Sequence, residues 1–130
     1  MFGEKDMYGT YTIKVDKGNR ICIPAKTKAE PGEEFVLSES KLIEGGIDIR
    51  SIENFSKVYM NFLDAEMKAD NEEQIKKIRK EKVELLRSVR KVVTADENRR
   101  IVVSGIFESG NIDFLCSKDY AILTKSKVKK

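Results

Sequence analysis

The feature that most constrains this chain is an internal repeat. "VDKGNRICIP", beginning at Val15, returns at an offset of 80 as "ADENRRIVVS", beginning at Ala95. In each copy an aspartate stands four positions before an arginine: Asp16 and Arg20, then Asp96 and Arg100. Alternating apolar residues follow, Ile21 and Ile23 in the first copy and Ile101 and Val103 in the second. The surroundings repeat as well, "EFVLS" at 34–38 against "DFLCS" at 113–117, and "GIDIRS" against "YAILTKS". Two short units of strand, turn, strand, turn and strand cannot each bury both faces alone. The repeat therefore predicts halves that interlock in a common barrel or sheet.

Local chemistry fills in the units. Tyr11, Ile13 and Val15 alternate with Thr12, Lys14 and Asp16, the pattern of a half-buried strand. Gly18 and Asn19 tolerate positive φ, so "KGN" is a turn. Pro24 stops the next alternation and permits a helical turn through "AKTKA". "EPGEE" makes a further turn, and "FVLSES" and "IDIR" read as strands. Between the units, residues 52–69 set Ile52, Phe55, Tyr59, Phe62, Leu63 and Met67 at helical spacing. Asp70, with Glu73 three positions on, predicts a capping box at the start of a second helix. That helix carries Ile75, Ile78, Leu85, Leu86 and Val89 on one stripe, with Lys82 interrupting it. Its acid–base pairs at helical spacing read as a solvated face. The expected fold is α+β: β-hairpin-type repeats at residues 1–52 and 92–130 flank a helical connection at 53–91, the whole forming one interlocked domain.

Composition narrows the function classes. With 40% hydrophobic and 36% charged residues, the chain is too apolar for disorder and too charged for a membrane protein. No apolar run is long enough to span a bilayer. The start "MFGEKDMYGT" lacks the charged-then-apolar layout of a signal peptide, which predicts a cytoplasmic location. The formal net charge is +3; residues 1–50 carry 8 basic and 9 acidic side chains, 51–91 carry 10 and 8, and 92–130 carry 7 and 5. This excess is compatible with a polyanionic partner, while the tail "KSKVKK" reads as a solvated end. Cys22 and Cys116 have no zinc spacing and are expected to be small buried hydrophobes. There is no histidine and no glycine-rich phosphate loop, and Glu33 and Glu34 fall in a turn. Neither catalysis, a cofactor, a metal nor a small-molecule substrate is expected.

With its two Asp-x-x-x-Arg turns, the "IPAK" run and the aromatic-rich helix after the first unit, the chain resembles the MraZ family, within the AbrB/SpoVT group of swapped-hairpin transcription regulators. The likeness runs from the "MFGE" start through the second motif. It implies a double-psi, swapped-hairpin AbrB-like barrel. It also implies a nucleoid-associated regulator that binds double-stranded DNA as a homo-oligomeric ring, on closely spaced direct repeats upstream of cell-division and cell-wall genes. A ring would multiply the few phosphate contacts of each subunit through effective concentration. Two departures bear on shape. Asn19 and Arg99 stand where the family usually has Gly, and Ser104 where it commonly has Pro. Arginine is a poor choice for left-handed backbone, so the second turn is expected to be looser or to direct an extra charge outward.

The motif leaves two roles open. An aspartate at a strand end can accept backbone N–H bonds across a tight turn and hold an arginine by a charge-assisted contact. On that basis Asp16 and Asp96 brace their turns, and Arg20 and Arg100 serve the same purpose. Alternatively the arginines join Lys14, Lys17 and Arg99 in touching DNA, through phosphates or guanine edges. The candidate DNA-binding set is Lys14, Lys17, Arg20, Arg99 and Arg100. The alternative function is an oligomeric interaction module, or an antitoxin-like AbrB-fold protein without specific DNA binding.

Overall fold

The computed structural model describes residues 9–117 and 119–126. The "MFGE" start and the part of the tail after Ser126 lie outside the described residues. The first unit comprises β1 (Gly9–Lys14), β2 (Arg20–Cys22), a 3-10 turn (Ala25–Thr27), β3 (Glu34–Glu39) and β4 (Ile47–Ser51). Two helices follow, α1 (Ile52–Lys68) and α2 (Glu72–Ser88). The second unit comprises β5 (Val89–Thr94), β6 (Arg100–Val102), β7 (Asn111–Cys116) and β8 (Ala121–Lys125).

Six strands form one antiparallel sheet in the order β1-β7-β8-β4-β3-β5, and β2 pairs with β6 in a separate ribbon. Exchanging each strand for its counterpart in the other unit reverses that order and leaves it unchanged. The first strand of each unit is therefore carried by the other unit: β1 lies on β7 and β5 on β3. The pseudo-twofold axis of this exchange runs through the ribbon, where Ile21 faces Ile101. Two further bonds extend the ribbon symmetrically: Ile23 N–H donates to the Arg99 carbonyl at 2.9 Å, and Val103 N–H to the Asn19 carbonyl at 2.7 Å.

Alternation decides which side chains enter the core. Along β4, Ile47, Ile49 and Ser51 are buried while Asp48 and Arg50 lie on the other face. Ile21, Ile23, Ile101 and Val103 come in from the ribbon and meet Phe35, Leu37, Ile49, Phe114 and Leu123 from the sheet. The expected α+β architecture is present, but closure into a barrel is not. β1 and β5 end the sheet, and no ladder joins them among the described residues. The swap of first strands has placed them at opposite edges.

The helices form a hairpin that packs on β3 and β4. Ser51 caps α1, its Oγ accepting Asn54 N–H at 3.0 Å. The cap of α2 is Asn71 rather than Asp70. Asn71 Oδ1 accepts Gln74 N–H at 2.9 Å, and Gln74 Oε1 accepts Asp70 N–H at 3.1 Å. The capping pattern fits twice in succession here, so spacing alone could not choose between the two positions. Phe55, Tyr59, Phe62 and Leu63 are half-buried in the seam, but Met67 is 85% exposed and no residue of either helix is fully buried. Lys82 does lie in the seam, where its Nζ donates to Glu66 Oε1 at 3.2 Å. No helix among the described residues is long and apolar enough to cross a membrane.

The cysteines depart from expectation. Cys22 is exposed, because β2 turns Ile21 inward and Arg20 and Cys22 outward. Cys116 is half-buried, and burial pushes its thiol up to about 11.

Candidate nucleic-acid interface

Each Asp-x-x-x-Arg segment folds into the same tight hairpin. In the first, Asp16 N–H donates to the Arg20 carbonyl at 2.9 Å and Asn19 N–H to the Asp16 carbonyl at 3.1 Å. Asp16 Oδ1 accepts two more N–H groups, from Gly18 and Arg20, both at 2.9 Å. The second repeats this bond for bond. Asp96 N–H donates to the Arg100 carbonyl and Arg99 N–H to the Asp96 carbonyl, both at 3.0 Å. Asp96 Oδ1 accepts Asn98 N–H at 2.8 Å and Arg100 N–H at 2.9 Å. In each hairpin one short side-chain oxygen takes two backbone donors at the corner, an Asx-type brace.

The hairpin demands one left-handed residue before the arginine. Asn19 fills it at φ 57° and Arg99 at φ 60°. The looser second turn expected from Arg99 is therefore not found, since four hydrogen bonds over-determine the corner and outweigh the cost of the arginine. An L-residue in this region costs about 1 kcal/mol, and Asn bears the cost more easily than Arg. Arg99→Gly is expected to raise the thermal midpoint, and Asn19→Gly to raise it less. A midpoint that falls on Arg99→Gly would mean that the side chain, rather than the backbone, sets the energetics there.

The asymmetry lies one residue earlier. A Cβ placed on Gly18 would stand 3.1 Å from Arg20 Nε, so the guanidinium lies over that glycine. Asn98 occupies the matching position in the second hairpin and leaves no such space. Arg100 Nε consequently donates to its own Asp96 Oδ2 at 3.1 Å, whereas Arg20 Nε is 3.6 Å from Asp16 Oδ2 and has no hydrogen-bond partner.

The two hairpins meet across the pseudo-twofold. Arg20 Nη1 lies 3.5 Å from Asp96 Oδ2, and Arg100 Nη1 lies 3.8 Å from Asp16 Oδ2. Each arginine thus touches the carboxylate of its own loop and that of the other. Two acids and two bases form one neutral network, about a third exposed. The motif spacing showed the local pair; the crossed pairs depend on the strand exchange and carry no local signal. The remaining candidates sit apart from this network. Lys14 is exposed on β1, and Lys17 and Arg99 are exposed on the two loops. Outward charge on the loops is unequal, since the positions of Lys17 and Arg99 correspond to Glu97 and Asn19.

Backbone donors at Arg20 hold the Asp16 carboxyl below its ordinary value, with Gly18 and the two guanidinium groups helping. Asp96 is lowered in the same way, first by the Arg100 N–H and then by Asn98 and the Arg100 side chain. A depressed native pKa contributes stability above the unfolded value of 3.8, and that contribution is lost as pH falls through the native value. Asp48 acts in the opposite sense, because burial pushes its carboxyl up. The thermal midpoint is therefore expected to drop between pH 5 and about pH 3 less steeply in an Asp16→Asn, Asp96→Asn double variant, where amides keep an acceptor but cannot titrate and Asp48 is common to both proteins. Parallel curves would remove these aspartates from the acid response.

Among the described residues no cluster of three or more His, Cys, Asp or Glu side chains could hold a metal ion. No family model matches the chain. A stretch of 49 residues is 41% identical to a protein described as "Transcriptional regulator MraZ" from Mycoplasmopsis pulmonis (strain UAB CTIP). That stretch is 38% of this chain and spans 32% of the relative, about a third of its length.

Proposed function

We propose that this chain is a sequence-specific DNA-binding transcription regulator of the MraZ type, and not an enzyme. The supporting observation is the pair of hairpins with matching backbone bonds, locked together at the pseudo-twofold, with Lys17 and Arg99 exposed on the two corners. A loop that reads DNA must be held in place before it binds, and the hydrogen bonds to Asp16 and Asp96 supply that hold. In this proposal Lys14, Lys17 and Arg99 make the first phosphate contacts. Arg20 and Arg100 are chiefly positioning residues, reaching DNA only if a phosphate replaces the opposite aspartate. The chain acts as one interlocked unit of residues 1–52, 53–91 and 92–130, related to the swapped-hairpin AbrB-like barrels. It works in the cytoplasm on the nucleoid, as a homo-oligomeric ring on direct repeats upstream of cell-division and cell-wall genes. The partial likeness to a MraZ regulator supports the same reading.

The neutrality of the Asp16–Arg20–Asp96–Arg100 network gives the interaction-module alternative its own footing, because the most distinctive charges of the motif are already paired. Gel-shift titrations on the protein's own upstream region and on random duplex, across a range of salt, separate the two. A clear preference for the upstream fragment supports the regulator. Equal, weak and steeply salt-dependent binding to both would leave the module.

A further inference from the structure

The ribbon of β2 and β6 turns only one face into the core. Ile21 and Ile101 point inward, while Arg20, Cys22, Arg100 and Val102 stand on the outer face. The register makes a square of these four: Arg20 is opposite Val102, and Cys22 is opposite Arg100. The arginines hold one diagonal and are engaged with Asp16 and Asp96. Val102 and Cys22 hold the other diagonal, and they are equivalent under the exchange of units.

Both residues are exposed, Val102 at 38%. A single exposed valine needs no explanation, but here symmetry pairs two small apolar side chains amid charges. The Cys22 thiol reaches the Asn98 carbonyl at 3.6 Å and the Ile23 carbonyl at 3.8 Å, both weak sulfur bonds, so it presents a small hydrophobe. Because the strands are antiparallel, the loops that precede them lie at opposite ends of the ribbon. Lys17 is thus exposed at one end and Arg99 at the other. Cations at both ends with an uncharged pair between them suit a duplex groove, whose two backbones are anionic and whose floor displays base edges. A two-stranded β-ribbon fits the major groove, about 12 Å wide.

We infer that the outer face of the ribbon lies on base edges in the major groove, where Val102 and Cys22 read thymine by apolar contact with its C5 methyl group. The guanidinium groups are already held by carboxylates, so the uncharged diagonal is the part of this face free to touch a base. Phosphate contacts at Lys17 and Arg99 set the register, and the methyl contacts supply the sequence preference. This rests on the DNA-binding function proposed above and adds to it the residues that discriminate and the base they select.

The test removes the methyl groups from the DNA. The probe is the protein's own upstream region as a duplex, made either with thymine or with uracil, which lacks only the C5 methyl and keeps every phosphate. The wild type is expected to lose about fourfold in affinity for each methyl contact, roughly fifteenfold for two, with an unchanged salt slope. A Val102→Ala, Cys22→Ser double variant should bind the thymine duplex as weakly as the wild type binds the uracil one. Uracil should then weaken the variant by less than about twofold more. Melting at the wild-type midpoint shows that the variant is folded, and the uracil comparison on the wild type needs no variant. A wild type that prefers the upstream fragment to random duplex yet ignores the uracil substitution overturns this inference and leaves the regulator standing. So does a double variant that binds the thymine duplex like the wild type, or one that uracil weakens as much as the wild type. Absence of any preference for the upstream fragment sinks the regulator, and the reading of thymine with it.

Discussion

Alanine at both Lys17 and Arg99 is expected to lower the salt dependence of DNA binding by about two units of log–log slope, since each lost phosphate contact removes about 0.9. The thermal midpoint should stay where it is, because neither side chain has an ion pair among the described residues and both are exposed. Arg20→Ala is expected to behave differently. It removes the partner of Asp16 and the crossed contact to Asp96 at 3.5 Å, so the midpoint and the affinity should fall together. Isotherms at four or five salt concentrations, paired with melts, distinguish the cases. An Arg20→Ala protein that melts like the wild type but no longer binds would make that arginine a contact rather than a brace. It would also imply that the network opens on DNA.

Much of this arrangement was legible because it is local or periodic. Asp16 and Asp96 could be recognised as turn braces from a short acceptor side chain at a strand end, and the structure gives each of them two backbone donors. The repeat located both strand sets, since alternation reports which residues share a face. Alternation does not say which strand lies alongside. The pairing of β1 with β7, and the crossed Arg20–Asp96 and Arg100–Asp16 contacts that follow from it, are non-local and had no signature. Arg99 was misjudged for a related reason. Its intrinsic aversion to positive φ is real, but it competes with hydrogen bonds fixed by Asp96, and a single residue's propensity is the smaller term. Met67 and Cys22 failed more simply. Each obeys a hydrophobic pattern, but Met67 stands on the solvent side of α1 and Cys22 on the outer face of a three-residue strand.

The largest loss of stability is expected at the pseudo-twofold itself. Ile21 and Ile101 face one another in the β2–β6 ribbon, at 1% and 0% exposure, and both pack into the core beneath the two loops. Truncating a buried isoleucine to alanine costs about 2–5 kcal/mol, combining lost burial with the cavity left behind. In a chain of this size that lowers the thermal midpoint by roughly 10 °C. Because the two residues are equivalent under the exchange, Ile21→Ala and Ile101→Ala should cost similar amounts. As direct neighbours they share a contact, so the double variant should lose less than the sum. Val102→Ala, on the exposed side of the same ribbon, should change stability by less than about 0.5 kcal/mol. The ribbon also carries the Asn19 and Arg99 carbonyl bonds that fix both corners. Loosening either isoleucine should therefore weaken DNA binding even at temperatures where the sheet remains folded, and should do so without changing the salt slope, since no cation has been removed. Melts and salt-dependent isotherms on the four variants provide the check. Strongly unequal costs for Ile21 and Ile101 would show that the ribbon is not energetically symmetric and that one unit supports the other.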